Sequence, residues 1–157
     1  MILYIRLGNA YEEIGLFLPL IFETDVDSKF LHFTNEAVWA QGFGEKVGIL
    51  DNNALLSFPN FCTSGGVFKT EKFNEIGGIK SNIKLTFMYE YFLRATNEDT
   101  GVMTIPKIGY KHTNSRPGSL FMGYRDPKSG ITPEEAKFWM GKARSEMFFL
   151  PNVIKRD

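Results

Sequence analysis

The sequence predicts a mixed α/β (α+β) fold: a mixed sheet with packed helices, closed by a C-terminal amphipathic helix. Three observations predict it. Apolar runs of strand length, bounded by turn residues, recur at IGLFLPLIF (14–22) and VMTIPKIGYKH (102–112). A helical period runs through TFMYEYFLRATN (86–97). TPEEAKFWMGKARSEMFFL (132–150) opens with a capping threonine, a proline at the first helical position and two glutamates that complement the helix dipole. The 157 residues suit one domain spanning 1–157 with a buried core, and no internal repeat or low-complexity tract divides them.

The elements follow in order. Residues 2–6 (ILYIR) alternate weakly and read as an edge strand, with a turn at Gly8-Asn9 and a short helical piece through AYEEIG. Residues 16–22 read as a buried strand, and KFLHF (29–33) as a second strand, joined by the acidic hairpin loop 23–28. Thr34 or Asn35 can cap a short helix that Gly42, Gly44 and Gly48 keep from running far. Gly65-Gly66 marks a tight turn or a close approach, and TEKFNEIGG (70–78) a helical turn or two stopped at Gly77. In the helix that follows, Thr86, Glu90, Arg94 and Asn97 share about a quarter of the circumference. With the other sides apolar, that stripe is expected to face water or a cleft. Pro106 splits 102–112 into strand, bend and strand, since it cannot donate to a central ladder. TNSRPGS (113–119) is loop, and Ala136, Trp139, Met140, Ala143 and Met147 form the buried face of the last helix.

Composition excludes several classes. Equal numbers of basic and acidic residues, 18 each, leave no electrostatic footprint for gripping phosphates, so nucleic acid is not an expected partner. One cysteine, Cys62, permits no internal disulfide and reads as a small buried hydrophobe; with His32 and His112 alone it cannot make the usual four-ligand zinc site. The run 14–22 is too short to span a bilayer and contains Pro19. A soluble cytoplasmic protein is the expectation. No Walker loop, GxGxxG, HExxH or nucleophile elbow is present, and Ser64 beside its glycines reads as a turn.

Taken together, TSGGVFKTEKFNEIGGIK (63–80), the helix TFMYEYFLRAT and GVMTIPKIGYKHTNSRPGSL (101–120) resemble the acceptor-side half of family-two glycosyltransferases of the GT-A fold. The likeness covers about residues 51–119. The wording of NEAVWAQGF (35–43) and of the C-terminal helix is similar to a group that includes viral or phage members, which would place the chain in a host cytoplasm. The resemblance implies a partial GT-A-like sheet. It sets the family's acidic pair on Tyr89-Glu90, with Glu90 as the base that takes the acceptor's proton and Arg94 as the cation that keeps it ionised. Tyr89 departs from the first acid of the pair. His112, Lys111 and Arg116 fall where the family approaches the donor diphosphate or its metal, and Tyr89 and Trp39 join them as substrate-binding candidates. Asp25 and Asp27, with His112, are the implied ligands of a divalent Mn or Mg ion that accompanies a nucleotide-sugar. Each residue has a plainer reading: a solvated i,i+4 pair for Glu90 and Arg94, a structural hydrogen bond or surface site for His112 and Arg116, and a capped hairpin for the aspartates.

About fifty residues precede the similar region, too few for the family's nucleotide-binding half. The expected function is therefore a glycosyltransferase-like component that transfers a sugar to an acceptor hydroxyl when a donor-binding polypeptide complements it. A noncatalytic carbohydrate- or protein-binding module, or a viral structural or assembly protein, stands as the alternative. The aromatic content, 15% of residues, and the surface left by a missing half imply a homo-oligomer.

Overall fold

A computed structural model of the chain describes residues 2–34, 48–57, 63–124, 126–128 and 130–151. In chain order they form α1 (Ile2–Ala10), β1 (Ile14–Thr24), β2 (Phe30–Thr34), β3 (Gly48–Leu50) and α2 (Asn52–Ser57). Then come β4 (Val67–Phe68), α3 (Thr70–Glu75), α4 (Phe87–Asn97), β5 (Gly101–Thr113), α5 (Leu120–Tyr124) and α6 (Pro133–Glu146). The fold is mixed α/β, as the sequence predicts.

The sheet runs β2-β1-β5-β3, and β4 adds to β1 off that path. β1 and β5 are parallel, while β2, β3 and β4 pair antiparallel. β1 is central and apolar on both sides, because each face of the sheet is covered. Alternation sends Leu16 and Leu18 to one face, where they meet Tyr91, Phe92 and Leu93 of α4 and Ala143 and Met147 at α6. Ile14 and Phe17, with Met103 and Ile105 of β5, pack on the other face under Tyr4, Leu7 and Tyr11.

That second cluster corrects the reading of residues 2–6 as a strand. Tyr4, Leu7 and Tyr11 are spaced three and four apart, so a helix presents all three to the sheet at once, whereas a strand could not. The hairpin between β1 and β2 forms as expected. Asp25 Oδ1 accepts from the backbone N–H of Asp27 at 3.0 Å and of Lys29 at 2.8 Å, which closes the turn. β5 is one continuous strand with a register jump at the proline: Ile105 pairs with Pro19 and Ile108 with Leu20, so Pro106 and Lys107 drop out of the ladder. The predicted helix start at Thr34-Asn35 falls partly on β2, which ends at Thr34, and Asn35 onward lies outside the described residues, as do Trp39 and Cys62.

Two glycine positions have backbone reasons. Gly65 has φ +74, and a Cβ there would come within 2.6 Å of Tyr110 Cβ, so the turn lies directly on β5. α3 ends in a Schellman arrangement: the Gly77 N–H donates to Asn74 O and the Gly78 N–H to Phe73 O, with both glycines at positive φ. At the other end of the chain, Thr132 accepts from the Glu135 N–H and Pro133 opens α6, as the sequence predicts. Ala136, expected on the buried face of that helix, is exposed.

Tyr91 sits at the centre of an aromatic group with Phe68 and Phe73, ring centroids 5.6 and 5.3 Å away. Its hydroxyl has no hydrogen-bond partner among the described residues. Burial pushes the phenol up to about 12, with the Arg94 charge as a smaller opposing cause. An unfolded tyrosine ionises near 10.0, so the buried ring adds stability below that pH and loses it as pH rises toward about 12. Thermal melts of Tyr91→Phe are expected to match or exceed the parent at neutral pH, because an unsatisfied hydroxyl is removed. They should also show a shallower loss of stability above pH 10.0. A melting temperature lowered at neutral pH would contradict this.

Candidate functional site

Two polar centres stand out, and they differ in access to water. The first is on α4. Glu90 and Arg94 are both fully buried, at 0% exposure. Arg94 Nε donates to Glu90 Oε1 at 2.8 Å and Nη2 to Glu90 Oε2 at 3.1 Å, a bidentate pair one helical turn long. Nη1 donates to the Ile76 carbonyl and Nη2 also to that of Gly78, at 2.6 Å. The Ile76 carbonyl is at the C-cap of α3 and that of Gly78 is in the turn beyond it, so the guanidinium closes off that helix end. Lys80 Nζ lies 3.1 Å from Glu90 Oε1 and 3.2 Å from Glu146 Oε2, and donates to the Glu146 carbonyl at 2.6 Å. Two cations and two carboxylates thus join α3, α4 and α6.

This corrects the expectation that the polar stripe of α4 faces a cleft. Both carboxylate oxygens of Glu90 are held by cations and no part of it reaches solvent, whereas a general base needs a free lone pair within reach of the acceptor's proton. The predicted pairing of Glu90 with Arg94 is present, but it turns inward. Tyr89 is also buried: its hydroxyl donates to the Leu55 carbonyl at 3.1 Å and accepts from Arg144 Nε at 3.4 Å, which makes it a strut between α2, α4 and α6.

The second centre is at the far end of the sheet. β1 carries Glu23, β2 places His32 opposite it, and β5 places His112 on its other side. His32 Nε2 is 2.9 Å from Glu23 Oε2, and His112 Nδ1 is 2.7 Å from Glu23 Oε1. An ionised carboxylate only accepts, so each imidazole carries its proton on the nitrogen facing Glu23. In the neutral form of His112 the Nε2 lone pair is then free to accept a proton or a hydrogen bond. The glutamate side chain is 11% exposed and the His112 side chain 37%, a covered acid orienting an accessible imidazole. On the opposite face Phe22, Phe30 and Phe33 form a triangle with centroids 4.9 to 5.9 Å apart, which stiffens the hairpin that carries Glu23 and His32.

The strands position the remaining candidates. Tyr110 is two residues before His112 and so shares its face, against the turn at Gly65. Lys111 pairs with Phe22 and lies on the opposite face, exposed. Arg116 is exposed in the loop after β5. Glu90 and His112 are not brought together: Val102 packs with α4, and His112 is ten strand residues further on, roughly 30 Å at strand rise. Asp25 spends Oδ1 on the hairpin turn, and among the described residues no group of three or more His, Cys, Asp or Glu is arranged to hold a metal ion. The residues present do not fit the divalent ion that the resemblance implies, and no step is derived through one.

Sequence reasoning missed Glu23, His32, Lys80 and Glu146. The sequence pattern puts Glu23 in the loop 23–28, whereas β1 runs on to Thr24 and sets Glu23 opposite His32. The parallel partner strand, 89 residues away, left no local trace. No described helix is long and apolar enough to cross a membrane. Comparison of the chain with protein-family models, with curated proteins and with solved structures found no match.

Substituting Glu90→Gln leaves Arg94 buried with its counter-charge removed and Lys80 with Glu146 as its remaining carboxylate. Urea denaturation should report a loss of about 3–5 kcal/mol. A loss below about 1 kcal/mol, the range of exposed pairs, would mean that the carboxylate is solvated in the native state.

Proposed function

We propose that the chain is a glycosyltransferase-like component that holds a carbohydrate acceptor and depends on a donor-binding polypeptide for sugar transfer. One observation carries the reading: the Gly-rich segment and the P-x-x-x-Y-x-H strand of the sequence resemblance converge, with Gly65 against Tyr110 and His112 oriented by Glu23. In such a transfer the acceptor oxygen bonds to the anomeric carbon. The bond to the donor diphosphate breaks, with its electron pair leaving on the diphosphate, and the hydroxyl proton needs an acceptor. On this reading His112 Nε2, its ring held by Glu23 at the other nitrogen, takes that proton. The exposed ring of Tyr110 offers a stacking surface to the apolar face of a sugar.

A noncatalytic carbohydrate-binding module is the second reading, and the sequestered Glu90 favours it for the chain acting alone. The two share one site and differ in whether transfer follows binding. NMR titration of the chain with a panel of oligosaccharides should move the His112 and Tyr110 ring signals. His112→Ala should weaken that binding by about tenfold, the size of one lost hydrogen bond to a charged or oriented group. Rings that stay unperturbed by every oligosaccharide and by a nucleotide-sugar would end both readings. Product formation from a nucleotide-sugar only in the presence of a donor-binding polypeptide would select the first.

A further inference from the structure

α6 has a second face that the fold does not use. Trp139, Ala143 and Met147 enter the core, while Glu134, Lys137, Phe138, Gly141, Lys142 and Ser145 line a shallow groove of about 580 Å³ on the outside. Phe138 is 60% exposed and rests edge-on against Trp139, centroids 5.2 Å apart. Glu134 and Lys142 enter no ion pair with another described residue. A side chain at Gly141 would meet nothing within 4 Å, yet glycine in an exposed helix interior weakens the helix, and a close neighbour is the usual reason for it.

We infer that this face binds a second copy of the chain, α6 against α6, antiparallel about a two-fold axis through Phe138. The charge order selects that occupant. Glu134 lies four residues before Phe138 and Lys142 four residues after it, so all three share one stripe. Antiparallel pairing centred on Phe138 sets each Glu134 opposite the Lys142 of the other copy, giving two ion pairs around an aromatic centre. A parallel pairing would instead set like charges together. The antiparallel arrangement also opposes the two helix dipoles. Gly141, about one turn from Phe138, makes room for the incoming ring. The patch is complementary to itself, as an isologous dimer requires. The inference is independent of the sugar-handling reading, since no residue of the stripe belongs to the Glu23 centre.

Sedimentation equilibrium of the full chain over a range of concentrations tests it. A reversible dimer is expected. Phe138→Asp should raise the dissociation constant by at least about tenfold, as removal of a central aromatic anchor does. Lys142→Glu should also weaken the dimer, and the exchange Glu134→Lys with Lys142→Glu should restore it to within a few-fold. Far-ultraviolet circular dichroism shows that each variant is folded; the melting temperature is expected unchanged for the exposed Phe138 and Glu134, and slightly lowered for the half-buried Lys142, whose ammonium rests 5.5 Å from the centre of the Trp139 ring. A chain that stays monomeric throughout would overturn the inference. A dimer indifferent to Phe138→Asp, or a charge exchange that fails to restore association, would overturn it equally.

Discussion

The bidentate pair of Glu90 with Arg94, closed by Lys80, is the constraint on which the arrangement of helices depends. Taking an ion out of water costs several kcal/mol even after relaxation, so a fully buried pair persists only where geometry is good and the remaining donors are satisfied. Here they are. Arg94 makes four hydrogen bonds, two to its carboxylate and two to carbonyls at and just beyond the end of α3. Lys80, a second cation against Glu90, is balanced in turn by Glu146 on α6. The Gly77-Gly78 turn follows from the same demand, since positive φ at both residues turns the chain back while the carbonyls of Ile76 and Gly78 reach the guanidinium. Breaking any member would leave an unbalanced charge beside the buried Tyr91, Phe92 and Leu93.

The burial of those charges separates structure from chemistry in this molecule. One carboxylate, Glu90, is consumed in holding three helices. The other, Glu23, sits at the rim of the sheet, where it meets two imidazoles whose side chains both reach solvent. Proton transfer requires a group that a substrate can approach. Only the second centre meets that condition, and the strands that build it are braced from behind by three phenylalanines.

Much of this fold was legible in the sequence, and its failures are instructive. Thr132-Pro133 announced α6 because capping is a local interaction. The β1–β2 hairpin was equally plain, its turn residues lying between two apolar runs. For α1 the short apolar stretch permitted two periods, and only contact with Phe17 and Ile14 decides between them. The stripe on α4 shows a different limit. Periodicity tells which residues share a face, but not which way that face looks. The direction was settled by Lys80 and Glu146, the latter 56 residues further along the chain from Glu90. Glu23 was overlooked for a similar reason, as its partners lie on two other strands and its spacing matches no local motif.

The most direct measurement is a double-mutant cycle on the buried pair, with Glu90→Leu, Arg94→Leu and the double variant unfolded in urea beside the parent. Each single change leaves the buried cluster with an unbalanced charge, whereas the double change removes one charge of each sign. The double variant should therefore be less destabilised than the sum of the singles by about 2–3 kcal/mol. Additivity to within about 0.5 kcal/mol would show that the two side chains act independently, and that Glu90 and Arg94 do not form the joint that holds the helices together.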